Sequence, residues 1–281
     1  MAAASDDKAR SSEADKLWNE TSVDPVEIHL GKDSGYTLRA YRMSDTLPSA
    51  ASADGGEASA EATEEDDDAS AEDAKARERA EAQPDVSENP EDEDNEAPSE
   101  ADFLDEDEEV DVLDAAPEEV PLFLTRKGKL LLFRDPESLV RYVRESDDND
   151  LAAIEEYADL QKRITADAIS CDEADTYELD LVTANLRGGH DSWEPELLIK
   201  AAEVGRDLGY ALKLQSVLNA LSPGSPLDDM DEALRVIADG GMRGMLAKRR
   251  LRKTGAEQAA IAWRSVIAKI NGAVEWRGGD E

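Results

Sequence analysis

Basic residues are scarce in this chain: 31 Lys and Arg stand against 68 Asp and Glu, a net charge of −37. That balance excludes attraction of the whole molecule to nucleic acid or anionic lipid, while leaving room for a local basic patch. Cysteine occurs once, at Cys171, so no intramolecular disulfide can form and a reducing compartment suits the chain. Asp172 and Glu173 beside it deny the thiol the electropositive surroundings of a reactive thiolate, so a small half-buried apolar role is expected. Histidine occurs only at His29 and His190, which with one cysteine makes an all-protein zinc site improbable. No window approaches 18 apolar residues, and the first residues have neither a basic region nor an apolar core. No membrane span or signal peptide is therefore expected, and the expected location is cytoplasmic.

Motifs of enzyme chemistry are missing as well. There is no phosphate-binding Gly-x4-Gly-Lys-Ser/Thr, no Gly-x-Ser-x-Gly, no His-Glu-x-x-His and no Cys-x-x-Cys. His190-Asp191, just after a glycine pair, has the form of a catalytic dyad, but polar residues in a connection between helices are the better reading. The expectation is a non-enzymatic protein with no catalytic, cofactor-binding or metal residues and no cofactor.

What the chain has in excess is acid. Residues 44–119 carry 31 acidic residues against Lys75, Arg77 and Arg79. Such a segment cannot bury enough apolar surface to offset ordering entropy of about 1–2 kcal/mol per residue, so it is predicted to be a disordered insert. Strand patterns flank it. Val26–Leu30 alternates, Gly31–Gly35 is rich in turn formers, and Tyr36–Met43 returns with β propensity, giving a first hairpin within 25–43. Val120–Thr125 and Lys129–Arg134, around Arg126-Lys-Gly128, read as a second hairpin. Isolated hairpins are marginal in water, so both are expected to share one antiparallel sheet. Closing even a long loop costs only about (3/2)RT ln n, which makes the insertion tolerable.

From Asp135 the apolar period becomes helical. Helices are expected after Asp135-Pro136, over Leu151–Thr165, over Tyr177–Arg187, from Pro195, over Leu214–Leu221, from Ser225-Pro226 to about Ala238, over Met242–Lys253 and over Ala256–Ile270. The predicted fold class is α+β: a small antiparallel N-terminal sheet of two hairpins, a mainly helical bundle after it, and a long disordered acidic insertion. The predicted organisation is a loose segment 1–24, the hairpin 25–43, the insert 44–119, a second hairpin plus bundle 120–277, and a tail 278–281.

The most specific feature is basic. Met242–Lys253 places Arg243, Lys248, Arg249, Arg250, Arg252 and Lys253 on one predicted helix, with Met242, Met245, Leu246 and Leu251 expected to pack inward. A cationic helix face matches phosphate backbones or acidic protein partners. A solvated face with ion pairs to neighbouring carboxylates is the bland alternative.

The runs Leu186-Arg-Gly-Gly-His-Asp-Ser-Trp-Glu-Pro-Glu-Leu-Leu198, Leu221-Ser-Pro-Gly-Ser-Pro-Leu-Asp228 and Lys248-Arg-Arg-Leu-Arg-Lys-Thr-Gly255 resemble an uncharacterised family from high-GC Gram-positive bacteria, the actinobacteria. Its members are sometimes loosely labelled primosomal protein. The resemblance covers residues 26–43 and 119–277. It implies an actinobacterial source and a pointer to replication, and it carries over no site residue.

The leading expectation is an adaptor that contacts nucleic acid, or a nucleic-acid-processing assembly, through the six basic residues. The alternative is a protein-binding or DNA-charge-mimicking acidic protein with no nucleic-acid contact. A protein partner is expected in either case, nucleic acid in the first, and a membrane in neither.

Overall fold

A strand buried on both faces shows two apolar sets at period two, and Lys129–Phe133 does so. Leu130 and Leu132 enter one core, Leu131 and Phe133 another. The computed structural model describes residues 10–46, 117–252 and 255–279. Among them, seven strands form one mixed sheet, and eight of the nine α-helices cover its two faces. The class is α+β, as the hydrophobic periods indicate.

The central pair is β1 (Val23–Leu30) and β2 (Asp33–Met43), antiparallel from Val23↔Ala40 to Leu30↔Asp33. The far side of β2 takes β3 (Glu119–Phe123), from Arg39↔Phe123 to Met43↔Glu119, and meets β5 (Lys129–Phe133) at Tyr36↔Phe133. The second hairpin is therefore β4 (Thr125–Arg126) with β5, while β3 belongs to β2. Its turn, Lys127-Gly128, has φ of 51° and 71°, the two left-handed residues of a type I′ turn.

The long acidic segment leaves β2 and returns at β3, which are adjacent in the sheet; Ser44 N–H donates to the Glu118 carbonyl at 2.8 Å. Its ends are shorter than predicted, since Ser44–Thr46 forms a 3-10 turn and Glu119 already pairs. The described residues all belong to one compact unit. The predicted disorder and the charge-mimic reading fall on residues 47–116, outside the described residues.

Three differences from the predicted architecture have clear causes. Residues 1–24 are not all loose: α1 (Ser12–Thr21) is a capped helix, with Ser11 Oγ accepting from Ala14 N–H at 3.2 Å. Ala14, Leu17, Trp18 and Thr21, at i, i+3, i+4 and i+7, are its buried face, which a polar average composition conceals. The sheet is not wholly antiparallel either. Short strands β6 (Thr176–Glu178) and β7 (Val274–Arg277) join in parallel, β6 on β1 and β7 on β5. Finally, the helices do not simply follow the sheet as a bundle. The helices α1, α2 (Pro136–Glu145) and α3 (Tyr157–Arg163) cover one face, and α3 is the surviving part of the helix expected over Leu151–Thr165. A 3-10 turn over Asp150–Ala153, capped by Asn149, replaces its first residues.

The opposite face carries α4 (Leu179–Arg187), α5 (Pro195–Ala211), α6 (Gln215–Ala220), α7 (Pro226–Ala238) and α9 (Ala256–Gly272). Trp263 of α9 is fully buried there, against Gly205 of α5.

Two expectations follow. Deleting residues 49–115 joins two ends that the sheet already holds together, so the shortened chain should still melt in one sharp transition; a broad or early melt contradicts the β2–β3 closure. Trp263→Ala should cost about 3–5 kcal/mol in urea unfolding, and a loss below about 1 kcal/mol contradicts its core role.

Candidate interaction surface

The site is built on the pair α7 and α8 (Gly241–Leu251). Ser225 caps α7 as its Ser-Pro-Leu-Asp run predicts, accepting from Asp228 N–H at 3.2 Å. The Arg206 guanidinium of α5 then clamps α7, donating to Asp228 and Asp231 at 2.8 Å each and to the Leu221 carbonyl at 3.1 Å. Gly240 and Gly241, with φ of 76° and 70°, turn the chain back along α7. At Gly244 a Cβ would stand 3.2 Å from the Val236 carbonyl oxygen, so glycine allows α8 to lie close on α7.

Contact is confined to one side of α8. Only Gly244 and Leu251 are buried in it. The inward packing expected of Met242, Met245 and Leu246 is not found: they are 83%, 76% and 67% exposed. Helix geometry explains the division. At about 100° per residue, Met242, Met245, Leu246 and Arg249 share an arc about 100° wide, and Gly244 and Leu251 lie roughly opposite. The apolar stripe and the anchoring leucine are different faces.

Arg249 lies within this arc, and the other described cations of the helix flank it. By the same count, Arg243 and Arg250 run along one edge, Lys248 and Arg252 along the other. Between α7 and α8 lies a groove of about 590 Å³, with Ala233, Val236, Leu246 and Ala247 as apolar lining and Arg243 and Arg250 on its α8 wall. Arg252 pairs with the exposed Asp191 at 2.7 Å, and holds that carboxyl below its ordinary value. Among the described residues Arg243, Lys248, Arg249 and Arg250 make no salt bridge. Carboxylates do lie nearby without direct pairing: Lys248 helps to lower the Asp191 carboxyl, and Asp229 and Glu232 line the same groove as Arg243 and Arg250. Lys248, Arg249 and Arg250 sit in the last turn, where the helix dipole favours cations. Arg243 sits in the first turn, which holds no acidic residue and has no side-chain cap at Gly240, and there the dipole opposes it. Lys253 lies outside the described residues.

The other chemistry-bearing residues are held in structure. His190 stacks on Trp193 at 4.4 Å while Asp191 serves Arg252. Burial, with Glu27 and Asp175 nearby, raises the Cys171 thiol's pKa, which removes the thiolate. Among the described residues no group of three His, Cys, Asp or Glu is arranged to hold a metal, and no helix is long and apolar enough to cross a membrane. A buried ionic cluster went unread in the sequence. Arg39 donates to Tyr177 Oη at 2.6 Å and to Asp175 at 3.3 Å, and Tyr41 Oη donates to Asp207 at 2.6 Å. It has no sequence signal, because its members come from β2, β6, α5 and the loop before β6.

Comparison with known proteins gives one family match. The model of the SatS C-terminal domain matches residues 106–271. No curated protein matches the sequence significantly. A solved chain described as the crystal structure of SatS c-terminal domain in complex with bromine superposes with a TM-score of 0.54. The match has 16% sequence identity over 92% of this chain and 96% of that one, a likeness of fold alone.

The buried cluster carries a pH expectation. Burial raises the Asp207 carboxyl above its ordinary 3.8, against the opposing pull of Tyr41 and Arg39. The folded state thus keeps this proton to higher pH than the unfolded chain, and the group's contribution to stability falls as pH rises from 3.8 through the raised value. Tyr41→Phe removes a hydrogen bond that favours the carboxylate, so NMR titration of Asp207 should show its midpoint moving further up. A downward move contradicts the arrangement.

Proposed function

The chain belongs to the SatS C-terminal domain family, and from that footing we propose that it is a non-enzymatic interaction protein that holds a protein partner on the exposed face of α8. The observation that carries this is the exposure of Met242, Met245 and Leu246 on a helix anchored from its other side. Single exposed apolar residues are ordinary, but a cluster on one short helix beside an apolar groove marks an interaction site. Methionine suits the task, since its flexible, polarisable side chain adapts to an incoming surface. The stacking of His190 on Trp193, the pairing of Asp191 with Arg252 and the raised pKa of the Cys171 thiol support a role without catalysis.

A second reading is favoured by the four cations without salt bridges among the described residues. In it, Arg243, Lys248, Arg249 and Arg250 contact the phosphates of a nucleic acid. An actinobacterial source and a replication role, both implied by the resemblance in sequence, belong with this reading. The apolar stripe between the cations weighs against it, because pressing methionines onto phosphates removes water without supplying donors.

A photo-crosslinking residue in place of Met245, in the full chain and in its native cells, tests the two. The expected product is a discrete protein adduct that the same residue at exposed Tyr210 does not form. Equal labelling at both positions contradicts the site, and nucleic-acid adducts at Met245 favour the second reading.

A further inference from the structure

We infer that the partner segment seated on α8 is an acidic amphipathic helix, an apolar ridge flanked by carboxylates; this rests on the protein-docking reading and names its chemistry. The face itself supplies the template. Its apolar centre runs from Met242 through Leu246, and cations line both edges, with Arg243 and Arg250 on the groove side. A helix laid on such a face presents anchors at i, i+3 or i+4, and i+7, with its own charges falling opposite the cationic edges. Charge complementarity then sets orientation and excludes basic competitors.

Other occupants fit less well. A second copy using the same face would set cations against cations, because both edges of the face are basic and a two-fold contact lays the one patch on itself. Extended polyanions reach further than the patch. Exposed charges act over about 8 Å at physiological ionic strength, so a duplex or an anionic bilayer meets the acidic surface of the surrounding domain as well. A single short helix meets only the local cations. The α7 wall adds a check on polarity, because Asp229 and Glu232 line it. Carboxylates of the occupant are placed against the α8 cations, and its apolar ridge is what faces the α7 wall.

The test uses the full chain and four probes: a designed helix with a leucine ridge and glutamate flanks, the same helix with lysine flanks, a duplex DNA, and vesicles of phosphatidylglycerol in phosphatidylcholine. Fluorescence anisotropy is expected to show binding of the glutamate helix in preference to the other three. Met242→Ser with Leu246→Ser should weaken that binding by about tenfold or more, as for apolar anchors at interface centres. Arg243→Ser with Arg250→Ser should weaken it by about fivefold at low salt and leave it nearly unchanged at high salt, as expected of exposed charges. All four positions line an exposed helix face or groove wall, and an unchanged melting temperature shows that the variants fold.

Equal binding of the two helices overturns the acidic occupant and leaves the docking reading in place. Binding of the glutamate helix that ignores both pairs of substitutions puts it elsewhere and overturns the inference. DNA or vesicle binding with neither helix bound overturns the inference and the docking reading together. One further outcome concerns the chain's own acidic stretch, where Phe103, Leu104, Val110, Val112 and Leu113 interrupt the carboxylates. If the glutamate helix binds only after these five become serine, the occupant is internal and an external partner is overturned.

Discussion

Burial of both faces of a single sheet is the constraint from which the rest of the molecule follows. Alternation in β5 sends Leu130 and Leu132 one way and Leu131 and Phe133 the other, so neither face can be left to water. One side is closed by three helices, the first of them drawn from the polar N-terminal stretch. The other side needs more, and the chain supplies α4 to α7 and then α9. The end of α9 is tied back to the sheet: Leu130 N–H donates to the Ala273 carbonyl at 2.9 Å, and β7 pairs along β5. The C-terminal end of the described chain is thus held by the sheet it helps to enclose.

Within this scaffold α8 stands apart. It connects two helices committed to the core, yet it buries only Gly244 and Leu251. Its position is set through α7, which Arg206 holds by two carboxylates and a carbonyl. A rigid support beneath a sparsely buried helix is a sensible construction for binding, because the surface is preorganised while its side chains stay adaptable. The buried cluster of Arg39, Tyr41, Tyr177, Asp175 and Asp207 serves a different purpose. Ion pairs of this kind add little net stability, and their directional hydrogen bonds fix how β2, β6 and α5 meet.

Much of the fold was legible in the residues. The alternation of Val26–Leu30, the apolar run of Lys129–Arg134, the Ser225-Pro226 cap and the turn glycines marked their elements correctly, because each rests on local stereochemistry. What escaped is non-local. β6 and β7 are three and four residues long, and their strand character comes from the partners they find, Ile28 and Leu132 among them. α1 was hidden by averaging, though Ala14, Leu17, Trp18 and Thr21 carry a clear helical spacing. The basic residues of the surface were visible, whereas its apolar half was misassigned. A helical wheel separates Met242, Met245 and Leu246 from Leu251, but which of the two faces meets α7 depends on Gly244 and the Gly240-Gly241 turn.

The central claim is that the methionine face of α8 is open to a partner, and the chain's five methionines provide a direct measure of it. In methyl-labelled protein, a soluble paramagnetic probe broadens methyl signals in proportion to their exposure. The account predicts strong broadening at Met242 and Met245 and little at the buried Met230 of α7. Protection of Met242 and Met245 to the level of Met230 would contradict it, because the face would then already be covered within the protein.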